Sequence, residues 1–276
     1  MKFVFHTHKP KARALAEAML TGSVRAGVDY IPTGERTYFP DRIGIFYGVV
    51  HETYDLFMEY RRNKGAIYLD NGWFSSEALP TFRFSWNSAQ AFLKDHPMSP
   101  ESSILRFAEL PPLKKGLRKP DNALLILQSR QYFDFLRIGM TRDEWEEQTT
   151  RMLRAKGYWV ETRDKPNKKD PGARSFFRQM SRAGIVVGFN SAAVLKAMRY
   201  GLPGYCTAPS TINPYLDPEV PPLGEAEPLP PHIVNDLCLK LASYEIDKVD
   251  LSNGKVFEQI MSVPEEKKRG WWYGPE

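Results

Sequence analysis

The sequence predicts an α/β protein built from two Rossmann-like halves that face each other across a cleft. Two observations lead to this prediction. In both halves, short apolar segments alternate with amphipathic helical patterns, which is typical of parallel sheets covered by helices. The 276 residues also suit two domains of ordinary size better than one. We place the boundary near residue 120, with an N-terminal domain over 1–120 and a C-terminal domain over 121–276.

The first half follows the order β-α-β-β-α-β, which is the order of a small doubly wound domain. The pattern predicts a strand over 2–8, a helix over 11–27, strands over 29–32 and 42–49, a helix over 52–64 and a strand over 66–69. Pro10 opens the first helix, and Gly65 ends the second. Residues 75–120 break this rhythm with scattered prolines and a basic run over 114–119, so we interpret them as an insertion followed by an interdomain linker.

The second half repeats strand and helix more regularly. Strands are predicted over 123–128, 158–162, 184–189 and 202–207, and helices over 141–156, 175–182 and 191–200. Thr141 followed by Glu144 predicts a capping box at the start of the first of these helices. Residues 208–231 are rich in proline and acidic residues and should form a loop, followed by two closing helices over 232–244 and 254–261.

Composition argues against a disordered chain, a disulfide-rich scaffold and a membrane-spanning protein. The hydrophobic share of 42% and the charged share of 26% are those of a folded globular chain. The net charge of +5 suits anionic ligands, although many basic proteins bind none. Cys206 and Cys238 form neither a C-x-x-C nor a zinc motif, so we expect a reducing, cytoplasmic setting. The sequence shows no signal peptide and no apolar stretch of about 20 residues, so no membrane span is predicted.

Three common enzyme motifs are absent. No G-x-G-x-x-G follows the first strand, which argues against a classical NAD or FAD site. No G-x-x-x-x-G-K-[ST] occurs, which argues against a P-loop enzyme. No G-x-S-x-G occurs, which argues against an α/β-hydrolase.

The segment Gly188–Ala193 is the sharpest local signal for a ligand site. A strand ends there and a helix begins, with Asn190 or Ser191 placed to cap it. The first amides of a helix lack intrahelical acceptors and lie at the positive end of its dipole. Small residues such as Ala192 let an anion approach the backbone, so we predict a phosphate site. The alternative is an ordinary helix cap without a ligand.

Polar and basic residues follow two further strands of the same half. They are Gln128, Ser129 and Arg130 after one strand, and Arg163, Asp164 and Lys165 after another. Because the carboxyl ends of parallel strands share one edge, we expect these residues to converge with Asn190 and Ser191. Arg163 would grip a diphosphate bidentately, and Lys165 would add a point charge. Solvated charged loops are the alternative.

The first half offers candidates for a general base. His6 and His8 lie at the end of the first strand, and Asp70 lies at the end of the fourth. A hydroxyl acceptor needs a carboxylate or an imidazole within hydrogen-bond reach. The alternatives are a histidine tied to the backbone and an aspartate that forms a turn in Asp-Asn-Gly. No second carboxylate accompanies Asp70 locally, so no metal site is predicted.

The second half resembles the C-terminal domain of GT-B glycosyltransferases and of the related sugar-nucleotide epimerases. The resemblance is carried by LLILQS over 124–129, by R-D-K-P over 163–166, and by G-F-N-S-A-A-x-x-K-A-x-x-x-G-x-P over 188–203. Capsule-type transferases have similar runs. In the first half, 45–48 and 69–73 are similar to strands carrying W-G and E-x-G-aromatic in the same group. The short chain is also similar to transferases of bacteriophages, some of which glycosylate hydroxymethylated pyrimidines in DNA.

The resemblance implies a glycosyltransferase with a nucleotide-sugar co-substrate, such as a UDP-sugar, and no tightly bound cofactor; a divalent metal is not clearly required. The implied donor-binding residues are Ser129, Arg130, Arg163, Lys165, Asn190, Ser191 and Ala192, and the catalytic candidates are Asp70 and His8. The turn R-D-K-P departs from the family's R-P-H-P. The family also has a glutamate that binds the donor ribose. Glu219 and Glu225 are both candidates for it, and the sequence does not decide between them.

The acceptor stays open between double-stranded DNA and a cell-surface polysaccharide. The implied acceptor-binding residues are Lys114, Lys115, Trp73 and Trp86. Cations would meet phosphates, and aromatic residues, Phe82 and Phe84 among them, would stack on a flipped base. Two other functions remain: an inactive nucleic-acid-binding module with the same shell, and a sugar-nucleotide epimerase. The epimerase would need several acid–base carboxylates, and only one is assigned.

Overall fold

The structure is a computed structural model that describes residues 1–48, 51–75, 80–87, 119–164, 175–208, 219–265 and 268. The chain divides into two compact units. The first holds Met1–Glu109 and Leu239–Glu276, and the second holds Leu110–Cys238. The sequence predicted residues 239–276 in the second domain, so the structure assigns this segment differently.

The first unit contains a mostly parallel sheet. Its elements are β1 (Lys2–His6), α1 (Pro10–Ala26), β2 (Asp29–Thr33), β3 (Ile43–Tyr47), α2 (His51–Asn63), β4 (Ala66–Asn71) and β5 (Phe82–Trp86). The strand order is β2-β1-β3-β4-β5. The first four strands are parallel, and β5 runs antiparallel to β4. The predicted elements before residue 75 are confirmed, whereas β5 falls in the segment interpreted as an insertion.

The second unit contains a four-stranded sheet that is parallel throughout. Its elements are β6 (Asn122–Ile126), α3 (Arg130–Leu136), α4 (Arg142–Ala155), β7 (Trp159–Arg163), α5 (Phe176–Met180), β8 (Ile185–Gly188), α6 (Ala192–Arg199) and β9 (Gly204–Cys206), followed by α7 (Pro231–Ala242), whose residues from Leu239 onward belong to the first unit. The strand order is β7-β6-β8-β9. The capping box of Thr141 and Glu144 is confirmed. Helix α3 was not predicted.

Two short C-terminal helices complete the first unit. They are α8 (Lys248–Asn253) and α9 (Lys255–Ser262). Phe257 of α9 packs its ring 5.4 Å from Phe3 of β1 and 5.6 Å from Tyr30 of β2. Gly22 of α1 lets α8 approach, because a Cβ there would collide with the carbonyl oxygen of Leu251. This burial of apolar surface explains why the end of the chain belongs to the first unit.

The two parallel sheets confirm the mixed α/β class. In the part of the chain that the structure describes, no helix is both long and apolar enough to cross a membrane. Within the same residues, no group of three or more His, Cys, Asp or Glu side chains could hold a metal ion.

Candidate functional site

The carboxyl ends of β7, β6 and β8 lie side by side in the second unit. Ile126 is in register with Arg163 on one side and with Gly188 on the other. The three turns that the sequence predicted to converge therefore leave one edge of the sheet. Side chains join two of these turns directly, because Gln128 Nε2 donates a hydrogen bond to Asn190 Oδ1 at 3.2 Å.

Asn190 ties three elements of this edge together. Its side-chain nitrogen donates to the hydroxyl of Tyr132 in α3 at 2.9 Å, and its oxygen accepts from Gln128 after β6. The residue is 6% exposed, so both amide atoms are used inside the protein. Asn190 thus positions the strand-to-helix turn that leads into α6.

The turn delivers the start of α6 to the sheet edge. Ser191 caps the helix, since its hydroxyl accepts from the backbone amide of Ala193 at 3.2 Å. The first turn contains no acidic residue, and Ala192 is exposed. Gly188 keeps the helix close to β8, because an added Cβ would lie 3.0 Å from Val194 Cγ2. An accessible helix start with a positive dipole end favours an anion.

Ser129 and Arg130 begin α3 at the same edge. The Ser129 hydroxyl accepts from the amide of Tyr132 at 3.3 Å and caps the helix. Arg130 pairs with Asp143 at 3.0 Å, and its side chain is 70% exposed. An exposed ion pair contributes little to stability. The Arg130 guanidinium can therefore exchange this partner for a ligand at small cost.

Arg163 is held by α5 at the edge strand β7. Its guanidinium donates to the side-chain oxygen of Gln179 and lies 5.3 Å from the centre of the Phe176 ring. Gln179 in turn donates to Glu161 at 2.8 Å. Burial lowers the pKa of Arg163 from its usual value, and the group remains cationic at neutral pH. The neighbouring Lys165 lies outside the described residues.

A small cavity lies beside β9. Its volume is about 330 Å³, and it is lined by Met152, Lys156, Tyr205, Cys206, Thr207, Glu219 and Val220. Glu219, one ribose-binding candidate, thus contacts a cavity. The other candidate, Glu225, lies near Tyr158. Burial raises the pKa of the Tyr158 hydroxyl, and the negative charge of Glu225 raises it further. Tyr158 precedes β7, so Glu225 is near the amino ends of the strands, about 16 Å of strand length from their carboxyl ends.

In the first unit, His6 is a buried structural residue. It is 2% exposed. Its Nδ1 lies 3.1 Å from the carbonyl oxygen of Glu35, and its Nε2 lies 3.3 Å from the hydroxyl of Tyr60. Burial lowers the pKa of His6 to about 4. This histidine is therefore neutral and packed within the fold rather than open to a substrate.

His8 has both ring nitrogens against backbone carbonyls. Nδ1 lies 3.2 Å from the oxygen of His6, and Nε2 lies 3.3 Å from the oxygen of Gly48. Lys9 donates to the same Gly48 oxygen at 3.1 Å. Burial lowers the pKa of His8. The ring must turn before it can accept a proton from a substrate, so the geometry is poor for a general base.

Asp70 lies at the carboxyl end of β4. One carboxylate oxygen pairs with Arg83 of β5 at 3.2 Å, and the other accepts from the amide of Asn71 at 2.8 Å. The Arg83 guanidinium also lies 4.3 Å from the centre of the Trp73 ring. The pairing holds the Asp70 carboxylate in place, and its side chain retains 32% exposure. The sequence patterns did not predict β5, so they did not identify Arg83 as the partner of Asp70.

Among known proteins, we report one solved structure whose fold is similar to that of this chain. No family model and no curated protein matches the chain. A solved structure, KpsC β-Kdo 2,7 transferase of Thermosulfurimonas dismutans, matches with a TM-score of 0.52 at 13% identity, over 94% of this chain and 100% of that one. The fold of this chain is therefore similar to that of this transferase structure. At such low identity the likeness concerns the fold alone.

The aromatic residues predicted to meet an acceptor are mostly inside the protein. Trp86 is 4% exposed, Phe82 is 3% exposed and Phe84 is 2% exposed, and all three belong to the core of the first unit. The prediction of acceptor stacking by Trp86 is therefore wrong, because β5 is part of the sheet. Trp73 does lie at the edge, beside Arg83. Lys114 and Lys115 lie outside the described residues.

Proposed function

We propose that this chain is a glycosyltransferase that moves a sugar from a nucleotide-sugar donor to a hydroxyl group. One observation carries the proposal. In a chain whose fold is similar to that of a Kdo transferase, the ends of β7, β6 and β8 lie side by side at one edge of the sheet, and the accessible start of α6 directly follows β8. Parallel α/β sheets bind ligands at this edge.

The donor diphosphate would lie on the first turn of α6. Ser191 and Ser129 offer hydroxyl groups there, and Arg130 and Arg163 offer cations, with Lys165 as a further candidate. As the bond to the sugar breaks, negative charge grows on the diphosphate. A helix dipole and fixed guanidinium groups stabilise that charge without reorganising. This is the chemistry that supports transfer of the sugar.

The acceptor hydroxyl would be activated in the first unit. Asp70 is the favoured general base, because its carboxylate is partly exposed and is held in place by Arg83. His8 is less suited, since carbonyl oxygens occupy both of its ring nitrogens. A carboxylate that accepts the hydroxyl proton accelerates such a transfer by about 10²–10⁴-fold.

The acceptor in this proposal is a glycan rather than DNA. The solved neighbour is named as a transferase of Kdo, which supports a carbohydrate substrate. The described aromatic residues of β5 that would have met a flipped base are buried. No observation within the described residues favours a DNA substrate.

A charge placed at the first position of α6 tests the donor site. Ala192→Glu adds an acid to the first turn, which favours the helix itself but repels a diphosphate. Ala192→Gln is the matched neutral control. A panel of sugar nucleotides is tested by thermal shift and by release of free nucleoside diphosphate. A donor at about 100 times its Kd stabilises a protein by roughly 2.7 kcal/mol.

We expect one donor class to raise the melting temperature of the wild type and of Ala192→Gln, but not of Ala192→Glu. If no sugar nucleotide shifts melting and none is consumed, the proposed function is wrong. If Ala192→Glu binds the donor as well as the control does, the donor lies elsewhere.

A further inference from the structure

A cluster of positive charge lies at the carboxyl edge of the first sheet. Lys9 and Lys11 flank Pro10, the first residue of α1, directly after β1. The Lys9 ammonium donates to the carbonyl oxygen of Gly48 after β3 at 3.1 Å. The Lys11 ammonium donates to Asn71 Oδ1 at the end of β4 at 2.7 Å. Two lysines from one helix start thus extend over the ends of the two neighbouring strands.

The partners of these lysines are neutral. Gly48 offers a carbonyl and Asn71 offers an amide oxygen, which also accepts from the hydroxyl of Tyr47 at 3.0 Å. The Lys11 ammonium lies 5.2 Å from the centre of the Tyr47 ring and 5.5 Å from that of Phe82. The aromatic rings and the neutral oxygens orient the ammonium groups but carry no formal negative charge themselves.

Asp70 is the carboxylate that acts on both lysines. Burial lowers the pKa of Lys9 and of Lys11, and the charge of Asp70 opposes that change in each case. Asp70 is already bound to Arg83 at 3.2 Å. Among the residues that the structure describes here, Lys9, Lys11 and Arg83 therefore share the Asp70 carboxylate, and partly desolvated cations are stabilised by a further anion.

We propose that Lys9 and Lys11 bind a carboxylate or phosphate group of the sugar acceptor and hold the acceptor hydroxyl beside Asp70; this inference rests on the glycosyltransferase function proposed above. The start of α1 adds to the attraction. It has no side-chain cap and no acidic residue in its first turn, so its dipole also favours an anion. The acceptor would be a sugar acid or a phosphorylated sugar.

The cluster fits a small anionic group better than a nucleic acid. Its cations converge on the ends of β1, β3 and β4, whereas a duplex needs a row of cations spaced along its backbone. We therefore expect a single acidic sugar to be enough for binding.

Binding of two probes to the full chain tests this inference. Glucuronate carries a carboxylate, glucose 1-phosphate carries a phosphate, and glucose is the uncharged control. Heteronuclear NMR follows the amides of Lys11 and Ala12 at low salt. One double variant, Lys9→Met with Lys11→Met, removes both charges, and a second, Lys9→Arg with Lys11→Arg, keeps them. Lys64→Met is the control, because Lys64 is an exposed lysine that directly follows α2.

We expect one or both acidic probes, but not glucose, to shift these amides. The double methionine variant should bind about tenfold more weakly, equivalent to roughly 1.4 kcal/mol, while the arginine pair and Lys64→Met should retain binding. The probe that binds identifies the group as carboxylate or phosphate. Equal binding of glucose, unchanged binding in the methionine pair, or failure of both acidic probes to shift these amides would overturn the inference.

This readout needs neither a donor nor turnover, so the two proposals fail separately. If the acidic probes bind at α1 and no sugar nucleotide is used, the transferase function is wrong and the anion site stands as a binding site. If donor is consumed and the methionine pair transfers to an acidic acceptor with unchanged KM, the transferase stands and the anion site is wrong.

Discussion

Gln128 donates a hydrogen bond from its side-chain amide to the side-chain oxygen of Asn190 at 3.2 Å. The bond joins the residues that follow β6 and β8, and the Tyr132 hydroxyl extends it to α3. A parallel sheet brings strand ends together, but it does not fix the loops that follow them. In this protein side-chain amides hold those loops, and the start of α6 is presented in one orientation.

Removing this link should cost both stability and donor binding. Asn190→Ala removes a buried side chain that hydrogen-bonds both Gln128 and Tyr132, which are themselves half-buried, so we expect a loss of about 1–3 kcal/mol in the free energy of unfolding. Gln128→Ala should cost less, because Asn190 keeps Tyr132. Urea unfolding of the two single variants and the double variant measures the coupling. Effects that simply add would show that the two side chains do not interact.

Local patterns were enough to predict the central strands and several helix ends. The apolar runs of β6 and β8 are fully buried, and such runs are typical of a sheet covered on both faces. Thr141 and Ser191 cap helices as predicted, because capping needs only a hydroxyl at the right spacing. The convergence of residues 128, 163 and 190 also followed from the parallel order of the strands.

Features that depend on distant parts of the chain could not be predicted. Strand β5 is antiparallel to β4 and follows a proline, so neither its pairing nor the partner of Asp70 was visible locally. The buried side of α9 indicates that the helix packs against something, but not that it packs on α1 and β1. Trp86 was assigned to the surface by residue type, although its position in β5 places it in the core.

The buried His6 should make the protein less stable in acid. Tyr60 receives a hydrogen bond from the amide of Phe39 and can donate its own proton to His6 Nε2, while His6 Nδ1 donates to Glu35. The neutral ring satisfies this arrangement. Because burial lowers the folded pKa to about 4, the unfolded chain, with a pKa near 6.5, takes up the proton first.

The free energy of unfolding should therefore fall as the pH decreases from about 6.5 to 4, by about 3 kcal/mol from His6. Above pH 6.5 the contribution is complete. Urea unfolding across this range should show a shallower slope for His6→Gln than for the wild type, whereas His232→Gln, at an exposed histidine, should keep the slope. Equal slopes for His6→Gln and the wild type would contradict this assignment.

The turn after Asp70 should not tolerate a side chain at Gly72. The buried Glu245 accepts a hydrogen bond from the amide of Phe74 at 2.9 Å and another from the hydroxyl of Thr81. A Cβ on Gly72 would collide with the Glu245 carboxyl group and with Thr81. We expect Gly72→Ala to lower the free energy of unfolding by about 1–3 kcal/mol. Gly34→Ala is the control, because nothing lies within 4 Å of its Cβ, and unchanged stability of Gly72→Ala would refute the close contact.

The pairing of Asp70 with Arg83 leads to the sharpest kinetic prediction. If Asp70 accepts the acceptor proton, Asp70→Asn should lower kcat by about 10²–10⁴-fold while the KM for the donor stays close to that of the wild type. Asp41→Asn is the matched control, since Asp41 forms an exposed ion pair with Lys2 at 3.0 Å at a distant part of the same unit. His8→Gln should have a smaller effect than Asp70→Asn, because its ring nitrogens are occupied. The opposite ranking in steady-state assays would assign the base to His8.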